Sequence, residues 1–287
     1  MTSNETGPTV DPLDSAYAKL NRAKAYVEAL RASVIAASPN GEPENFTLRS
    51  YYDASAQAVI TVVDVVPEDP GDWGLLLGDA LHNLRCALDH LAWQLAIRKY
   101  GGEPTDRKII RNVQFPIVTD QSEWPTHRHR KHMLDSDADI LWKFQPFHQV
   151  GQGPNVMSAV WALAVLSNQD KHQMTHPAYA VGHQGNFRNT GRYEDCVPRR
   201  EIMPDGTPAD VAITGLSTLR PGDEVVRVFV TPTGPSPEVD LESRVTGYVA
   251  VNETWNLMET LDACAHAVSD ILQAFTPFPA LPDDLVA

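Results

Sequence analysis

The chain has 287 residues, 43% of them hydrophobic, which is enough to build a sizeable core in one large domain or two small ones. Its formal net charge of −14 argues against broad, non-specific binding to nucleic acid, although it does not exclude a local basic pocket. The chain begins without a basic segment or an apolar run, and its most apolar stretch is about half the length that spans a bilayer. Its three cysteines are far apart and odd in number. We therefore expect a cytoplasmic protein with free thiols and no membrane association.

The first half of the chain begins with a disordered segment, residues 1–10, and then shows helix and hairpin signals. Asp11 is placed to cap a helix, with Pro12 at its first position, and the helix is predicted to end near residue 38. Its buried stripe is predicted to contain Ala16, Leu20, Ala23, Val27, Leu30 and Val34. Two β-rich runs follow, at 46–52 and 58–66, and the short gap between them predicts a β-hairpin.

A second helix is predicted from the Asp69-Pro70 start signal to about Tyr100, where Gly101 and Gly102 end it. Leucines recur along it at alternating steps of three and four, which makes one apolar stripe. The stripe consists of Leu77, Leu81, Leu84, Leu88, Leu91 and Leu95. About 30 residues at 1.5 Å each give roughly 45 Å, a length typical of the spine of a helical bundle.

Residues 103–153 are irregular, with a short strand predicted at 113–118 and one or two helical turns at 139–144. A third long helix is predicted at 154–174 and a final one at 253–275, which Pro277 and Pro279 stop. Between them, a strand-rich segment is predicted at 177–251, with strands near 178–181, 211–214, 224–231 and 243–251. The sequence thus predicts a single α+β domain over 1–287. Its helical core is 11–176 plus 252–276, and 177–251 is an insertion.

The second helix carries an unusual group of polar residues beside its leucine stripe. Where an ordinary surface helix would have Lys and Glu, this one has His82, Asn83, Arg85, Asp89 and His90. His82, Arg85 and Asp89 share one side, and Asn83 and His90 share another. Arg85 and His90 lie about 140° apart around the helix, so they would not touch but can both point into one cleft.

Arg85 followed after four residues by His90, within a helix of a helical bundle, resembles the signature of HEPN domains. Many members of that family are metal-independent RNases of toxin, defence and RNA-processing systems, with the site at a homodimer interface. The resemblance implies that His90 is a general acid or base and that Arg85 steadies a phosphate. It implies RNA as the partner, a homodimer, and no metal or cofactor. Catalytic members usually have a polar residue after the Arg, whereas this chain has Cys86.

Those two residue types suit RNA cleavage through the 2′-hydroxyl of the RNA itself. The reaction needs a proton taken from that hydroxyl and another delivered to the leaving oxygen, and a histidine titrates near neutral pH and can do either. Charge builds on the phosphoryl oxygens, to which an arginine can donate two hydrogen bonds.

A structural interpretation of the same residues remains open. Asp89 can hold Arg85 four residues away, with His82 beside them, as one buried network. Lys171 on the third helix can complete it by pairing with Asp89, together with Asn168, Asp170 and His172. The chain would then be a non-catalytic ligand-binding or interaction protein.

The most basic run in this acidic chain is His127-Arg128-His129-Arg130-Lys131-His132. Arg128, Arg130 and Lys131 are candidates for attracting RNA phosphates, and the alternative is a solvated loop. The alternating His127 and His129, or His172 and His176, would be the start of a metal site. No complete ligand set accompanies them, so the sequence predicts no metal centre.

Overall fold

The computed structural model describes residues 11–37, 47–65, 71–148, 158–172, 178–181, 186–204, 206–213, 220–244, 247–251 and 255–280. The predicted disordered start at 1–10, the helix start at Asp69-Pro70 and His176 lie outside these ranges. The molecule mixes helices and strands, so the predicted α+β class is confirmed. Its internal contacts divide the chain into two compact units. The first is Met1–Leu30, Gly74–Thr175 and Met258–Ala287, and the second is Arg31–Trp73 and His176–Leu257.

Six α-helices lie in the described parts of the chain, and four of them are long. The long helices are α1 (Asp14–Ala37), α2 (Trp73–Tyr100), α5 (Ala159–His172) and α6 (Leu257–Gln273), and the short ones are α3 (Arg107–Ile110) and α4 (Asp135–Trp142). Asp11 caps the turn before α1, where its Oδ1 accepts a hydrogen bond from the Leu13 amide at 2.8 Å. Every leucine of the predicted α2 stripe and every residue of the predicted α1 stripe is buried. The helical periodicity therefore predicts both buried faces correctly.

Within the first unit, two contacts show which helices are neighbours. A Cβ placed on Gly78 of α2 would lie 2.6 Å from Oδ1 of Asp170 on α5, so these two helices approach closely at that glycine. The Cys264 thiol of α6 donates to the Ala159 carbonyl of α5 at 3.2 Å. The helix α5 thus lies beside both α2 and α6.

The segment between α2 and α4 departs from the prediction. Residues 113–118 form no strand, because their backbone groups bond to side chains and Pro116 lacks the amide that a strand ladder requires. The Val118 amide, for example, donates to Oε1 of Gln145 at 3.0 Å. The predicted turns at 139–144 correspond to α4, which begins earlier, at Asp135. Two 3-10 helices, Gln121–Thr126 and Arg130–His132, precede it.

The second unit is built from short antiparallel strands. In chain order they are β1 (Thr47–Asp53), β2 (Ala58–Val65), β3 (Ala178–Val181), β4 (Asn186–Glu194), β5 (Cys196–Pro198), β6 (Glu201–Ile202), β7 (Pro208–Ala209), β8 (Val211–Ile213), β9 (Glu224–Pro232), β10 (Glu238–Arg244), β11 (Gly247–Val251) and β12 (Trp255–Asn256). The main sheet has the order β1-β2-β9-β5, with β8 also paired to β9. The smaller sheets are β10-β4, β12-β11-β3 and β6-β7.

The predicted hairpin is confirmed as β1 and β2, with Asp53 paired to Ala58 at its turn. Its strands belong with the later strands, because β2 pairs with β9 and brings Ile60 opposite Arg227. Valines from β2 and β9 make a common apolar cluster, which includes Val59, Val63, Val225, Val226, Val228 and Val230. The predicted boundaries instead grouped the hairpin with the helices, since hairpin signals are local and do not identify the next neighbour.

The strand-rich segment contains more strands than the four predicted. Strands β4 to β7 and most of β10 were missed, and the last predicted run ends in a separate strand, β11. The final helix begins at Leu257 rather than 253 because Trp255 and Asn256 pair with β11 instead. The strands β5, β6 and β7 have only two or three residues and carry too little periodicity to be found from sequence, and the nine residues of β4 show no alternation of apolar and polar side chains.

Candidate functional site

The first unit contains a cavity of about 280 Å³ where α2, α5 and the segment between α2 and α4 meet. We call it the Arg85 cavity. Its lining residues are Arg85, Asp89, Gln114, Phe115, Ile117, His127, Arg128, His129, Ala164, Ser167, Asn168 and Lys171. The cavity thus includes two of the five polar residues predicted on α2 and two of the four predicted on α5.

Arg85 and Asp89 form the α2 wall of the cavity. Their side chains pair at 3.2 Å, four residues apart on one face of the helix. Together they hold the backbone of Phe115: Arg85 Nη2 donates to its carbonyl at 2.9 Å, and Asp89 Oδ1 accepts from its amide at 2.9 Å. Both Arg85 contacts use Nη2, so its Nε–H and Nη1–H have no acceptor among the described residues and can serve a ligand.

His129 and Arg128 form a second wall, and their bonding defines which ring nitrogen carries the proton. His129 Nδ1–H donates to the Asn112 carbonyl at 2.7 Å, so Nε2 is the atom that accepts from Arg128 Nε–H at 3.1 Å. Burial lowers the pKa of His129, with the Arg128 and Arg85 charges acting in the same direction and the Asn112 carbonyl opposing them. His129 is therefore a neutral imidazole that orients the Arg128 guanidinium.

His127 lies beside His129, with the two ring centroids 5.2 Å apart. Burial lowers its pKa, and the neighbouring His129 and Arg128 lower it further. Its Nδ1 is shielded from solvent and has no hydrogen-bond partner among the described residues. Because Nδ1 is shielded, only Nε2 of this ring can meet a ligand in the cavity, and a neutral imidazole with Nε2 unprotonated can accept a proton there.

The α5 wall contributes Asn168 and Lys171. Lys171 is exposed, and no ion pair joins it to Asp89 in the part of the chain that the structure describes. Asp170 points elsewhere, toward Gly78 of α2. The side chain of His172 lies outside the described residues. Asn168 and Lys171 thus share a cavity with Arg85 and Asp89 without closing it into the ion-paired network that the structural interpretation requires.

The remaining polar residues of α2 do not line the Arg85 cavity. His82 is exposed, and its Nε2 lies 3.4 Å from Sγ of Cys86. Burial raises the pKa of the Cys86 thiol. Asn83 is buried and bonds back to the Asp79 carbonyl at 2.8 Å. His90 is half-buried and is not a lining residue. The structure therefore does not bring Arg85 and His90 to one cavity within a single chain.

The basic run divides among three environments. Arg128 lines the cavity, Arg130 pairs with Asp135 at 3.0 Å, and Lys131 is exposed and is not one of the lining residues. From the sequence, His127 and His129 are members of the basic run and possible metal ligands, and their place beside Arg85 is not predicted. The composition of the basic run could have indicated this site, because two histidines that alternate with arginines are unusual in a solvated loop.

The described side chains include no group of three or more His, Cys, Asp or Glu placed to hold a metal ion. Within the same ranges, no helix combines the length and apolar character needed to cross a membrane. What the cavity does combine is three cationic side chains, one carboxylate and two imidazoles with lowered pKa values. Such a set can bind an anion and accept a proton from it. Comparison with protein-family models, curated proteins and solved structures found no match for this chain.

Proposed function

We propose that this chain is a HEPN-like RNA-binding protein that takes RNA phosphate into the Arg85 cavity. The observation that carries the proposal is the convergence of Arg85, Arg128 and Lys171, from three separate segments, on one cavity of a chain with net charge −14. Like charges are brought together in a folded protein when they serve a ligand of opposite charge, because their repulsion otherwise costs stability.

The proposal includes the features that the HEPN resemblance implies. The four long helices would form a HEPN-like bundle, and two copies of the chain would pair so that their α2 helices face each other. A homodimer would give His90 a route to a cavity of the partner copy, since His90 is not among the lining residues of the Arg85 cavity in the single chain. The setting would be a cytoplasmic stress, toxin or defence system.

RNA binding is tested by fluorescence anisotropy with labelled single-stranded RNA. Replacing Arg128 or Lys171 by alanine should weaken binding and reduce the slope of log affinity against log salt by about 0.7 for each phosphate that is no longer neutralised. The matched control is Lys131→Ala, which removes the same charge from the same basic run but outside the cavity. An equal decrease in affinity in all three variants would show non-specific attraction, and the proposal would fail.

RNA cleavage is the second candidate function, and the position of His127 favours it. In this reaction His127 takes the proton from the 2′-hydroxyl, whose oxygen attacks the adjacent phosphorus. Arg85 and Arg128 would stabilise the charge on the phosphoryl oxygens. The bond to the 5′-oxygen breaks, and the imidazolium formed on His127 returns the proton to that oxygen. The products are a 2′,3′-cyclic phosphate and a 5′-hydroxyl.

Cleavage is tested by incubating the protein with RNA in the presence of a chelator. If His127 is the base, His127→Ala should abolish cleavage while RNA binding persists. If the HEPN pair acts instead, His90→Ala should have that effect. Intact RNA with the parent protein would leave the binding proposal in place and exclude the catalytic one.

The alternative of a non-catalytic protein with a structural polar network also has a specific observation in its favour. Arg85 and Asp89 clamp the Phe115 backbone, which is an architectural role. The salt-dependent binding experiment separates the two interpretations, because a purely structural Lys171 would not affect RNA affinity.

A further inference from the structure

The size of the Arg85 cavity limits how much of a ligand can enter it. Its volume is about 280 Å³, which is just below the range of about 300–1,000 Å³ typical of small-molecule sites. The cavity has room for a phosphate and part of one nucleotide, and the rest of a strand would lie outside it, across the exposed side chains of Arg128 and Lys171. The apolar side chains of Ile117 and Ala164 lie on its wall and suit a sugar rather than a second phosphate.

The charge in the cavity defines the anion that matches it. Arg85, Arg128 and Lys171 supply three positive charges and Asp89 one negative charge, a balance of +2. His127 and His129 add no charge near neutral pH, since burial lowers the pKa of both. A phosphodiester inside a strand carries one negative charge, while a phosphate monoester carries about −1.5 to −2 at pH 7. The monoester is the better match.

The donors in the cavity also suit a group with three terminal oxygens. The Nε–H and Nη1–H of Arg85 are unused by the described residues, and the Arg128 guanidinium is oriented by His129. Lys171 adds an ammonium on the opposite wall, from α5. A monoester offers three terminal oxygens, one for each of these cations, whereas a phosphodiester offers two non-bridging oxygens, so two of the cations would have to share one oxygen.

From volume, charge and donor count together, we infer that the Arg85 cavity recognises a terminal phosphate monoester, at the end of an RNA strand, rather than an internal phosphodiester. The inference rests on the proposed RNA binding and specifies its substrate class, and it is an alternative to the cleavage of an internal phosphodiester in this cavity. The protein would then distinguish RNA ends by whether they carry a phosphate.

The test compares one labelled RNA sequence in three forms: with a 5′-phosphate, with a 3′-phosphate, and with hydroxyls at both ends. One phosphorylated form should bind about tenfold more tightly than the hydroxyl form, the worth of one additional charge-assisted hydrogen bond. Arg128→Ala and Lys171→Ala should remove that preference, and Lys131→Ala should keep it. A 5′-mononucleotide and inorganic phosphate serve as competitors, which separate an RNA end from a free phosphorylated ligand.

Equal affinity for all three RNA forms, still dependent on Arg128 and Lys171, would overturn the inference and leave the proposed RNA binding intact. RNA affinity that is unchanged in the Arg128→Ala and Lys171→Ala variants would overturn both the inference and the proposed RNA binding in the Arg85 cavity. Displacement of the RNA by the mononucleotide at a concentration comparable to that of the RNA itself would show that the cavity recognises the monoester without the strand, which overturns the RNA-end assignment. A melting temperature for each variant close to that of the parent confirms that the weaker binding is not due to unfolding.

Discussion

Two arginines of the same helix, α2, each pair with an aspartate, and the two pairs differ in what surrounds them. Arg98 pairs with Asp137 of α4 and also donates from Nε to the Ala280 carbonyl at 2.9 Å, and the two side chains are 11% and 1% exposed. Arg85 pairs with Asp89, and these side chains are 15% and 33% exposed and border the Arg85 cavity.

The difference separates architecture from a candidate site. The Arg98 pair is closed: it joins elements distant in sequence, and its carboxylate is out of reach of a ligand. The Arg85 pair holds one backbone segment, that of Phe115, and Arg85 lines a cavity that two more cations share, with donors that no described residue uses. Burial and pairing alone would rank the two arginines equally, whereas unused donors and neighbouring charges distinguish them.

The largest expected effect is on stability at the closed pair. Asp137→Ala should lower the free energy of unfolding by about 3–5 kcal/mol, because it leaves the Arg98 charge buried without its partner. Urea unfolding followed by circular dichroism measures this change. The matched control is Asp135→Ala on the same helix, whose side chain is 87% exposed, and its cost should be about 1 kcal/mol or less. Equal costs would show that the closed pair is not structural.

A smaller loss of stability, together with a gain in RNA affinity, is expected from a change at the Arg85–Asp89 pair. Asp89→Asn should cost about 1.5–3 kcal/mol of stability, because the Phe115 amide and Arg85 both lose a charged acceptor. The same change should strengthen RNA binding, since it removes the single carboxylate among the cavity's lining residues. Unfolding and anisotropy measurements on one preparation test both directions. Weaker RNA binding by a folded Asp89→Asn variant would contradict the role of cavity charge.

The imidazoles of His127 and His129 at the Arg85 cavity should make the free energy of unfolding depend on pH. His127 and His129 have lowered pKa values in the folded protein, so the unfolded chain binds protons more readily. The stability that these neutral rings contribute is complete above their ordinary pKa of 6.5 and is lost as the pH falls from there toward the lowered values. His129→Gln keeps a donor for the Asn112 carbonyl but cannot titrate.

The unfolding free energy of His129→Gln should therefore fall less steeply between pH 7 and pH 5 than that of the parent. Gln114→Ala is the control, because it changes a cavity side chain that carries no titratable group. An unchanged slope in His129→Gln would show that this ring does not resist protonation.

The smallest effect concerns the close approach of α2 and α5, which supports two walls of the cavity. Alanine in place of a mid-helix glycine normally stabilises by about 0.5–1 kcal/mol, but at Gly78 the new methyl would press on the Asp170 carboxylate. Gly78→Ala should therefore gain less in the parent than in an Asp170→Ala background. Thermal unfolding of the two single variants and the double variant measures the coupling, and simple additivity would argue against the contact.

Much of the fold was predictable where the signal is local and repeats. The α1 and α2 stripes and the β1–β2 hairpin follow from the spacing of apolar residues, and each is present as expected. The missed elements are short or lack a period. Residues 113–118 have the apolar composition of a strand, but Pro116 lacks the amide that a strand ladder requires. The backbone of this segment is bound instead by the side chains of Arg85, Asp89 and Gln145.

The candidate site was predictable only in part. The polar residues on α2 indicate a helix that contributes to a functional site, and helical geometry places Arg85 and Asp89 on one face. Which residues they meet is a different question. His127, Arg128 and His129 lie in an irregular segment, so no periodicity indicates which way they face or that Asn112 and Arg128 bond to His129.

The long helices, the hairpin and the acidic balance of the chain follow from the amino-acid sequence, because each depends on neighbours a few residues apart or on composition alone. The folded structure alone shows which cations share a cavity, which arginine is buried with its partner, and that His90 is not a lining residue of the cavity that Arg85 borders. Those outcomes depend on contacts between segments far apart in the chain, where packing and desolvation, rather than local periodicity, select the neighbours.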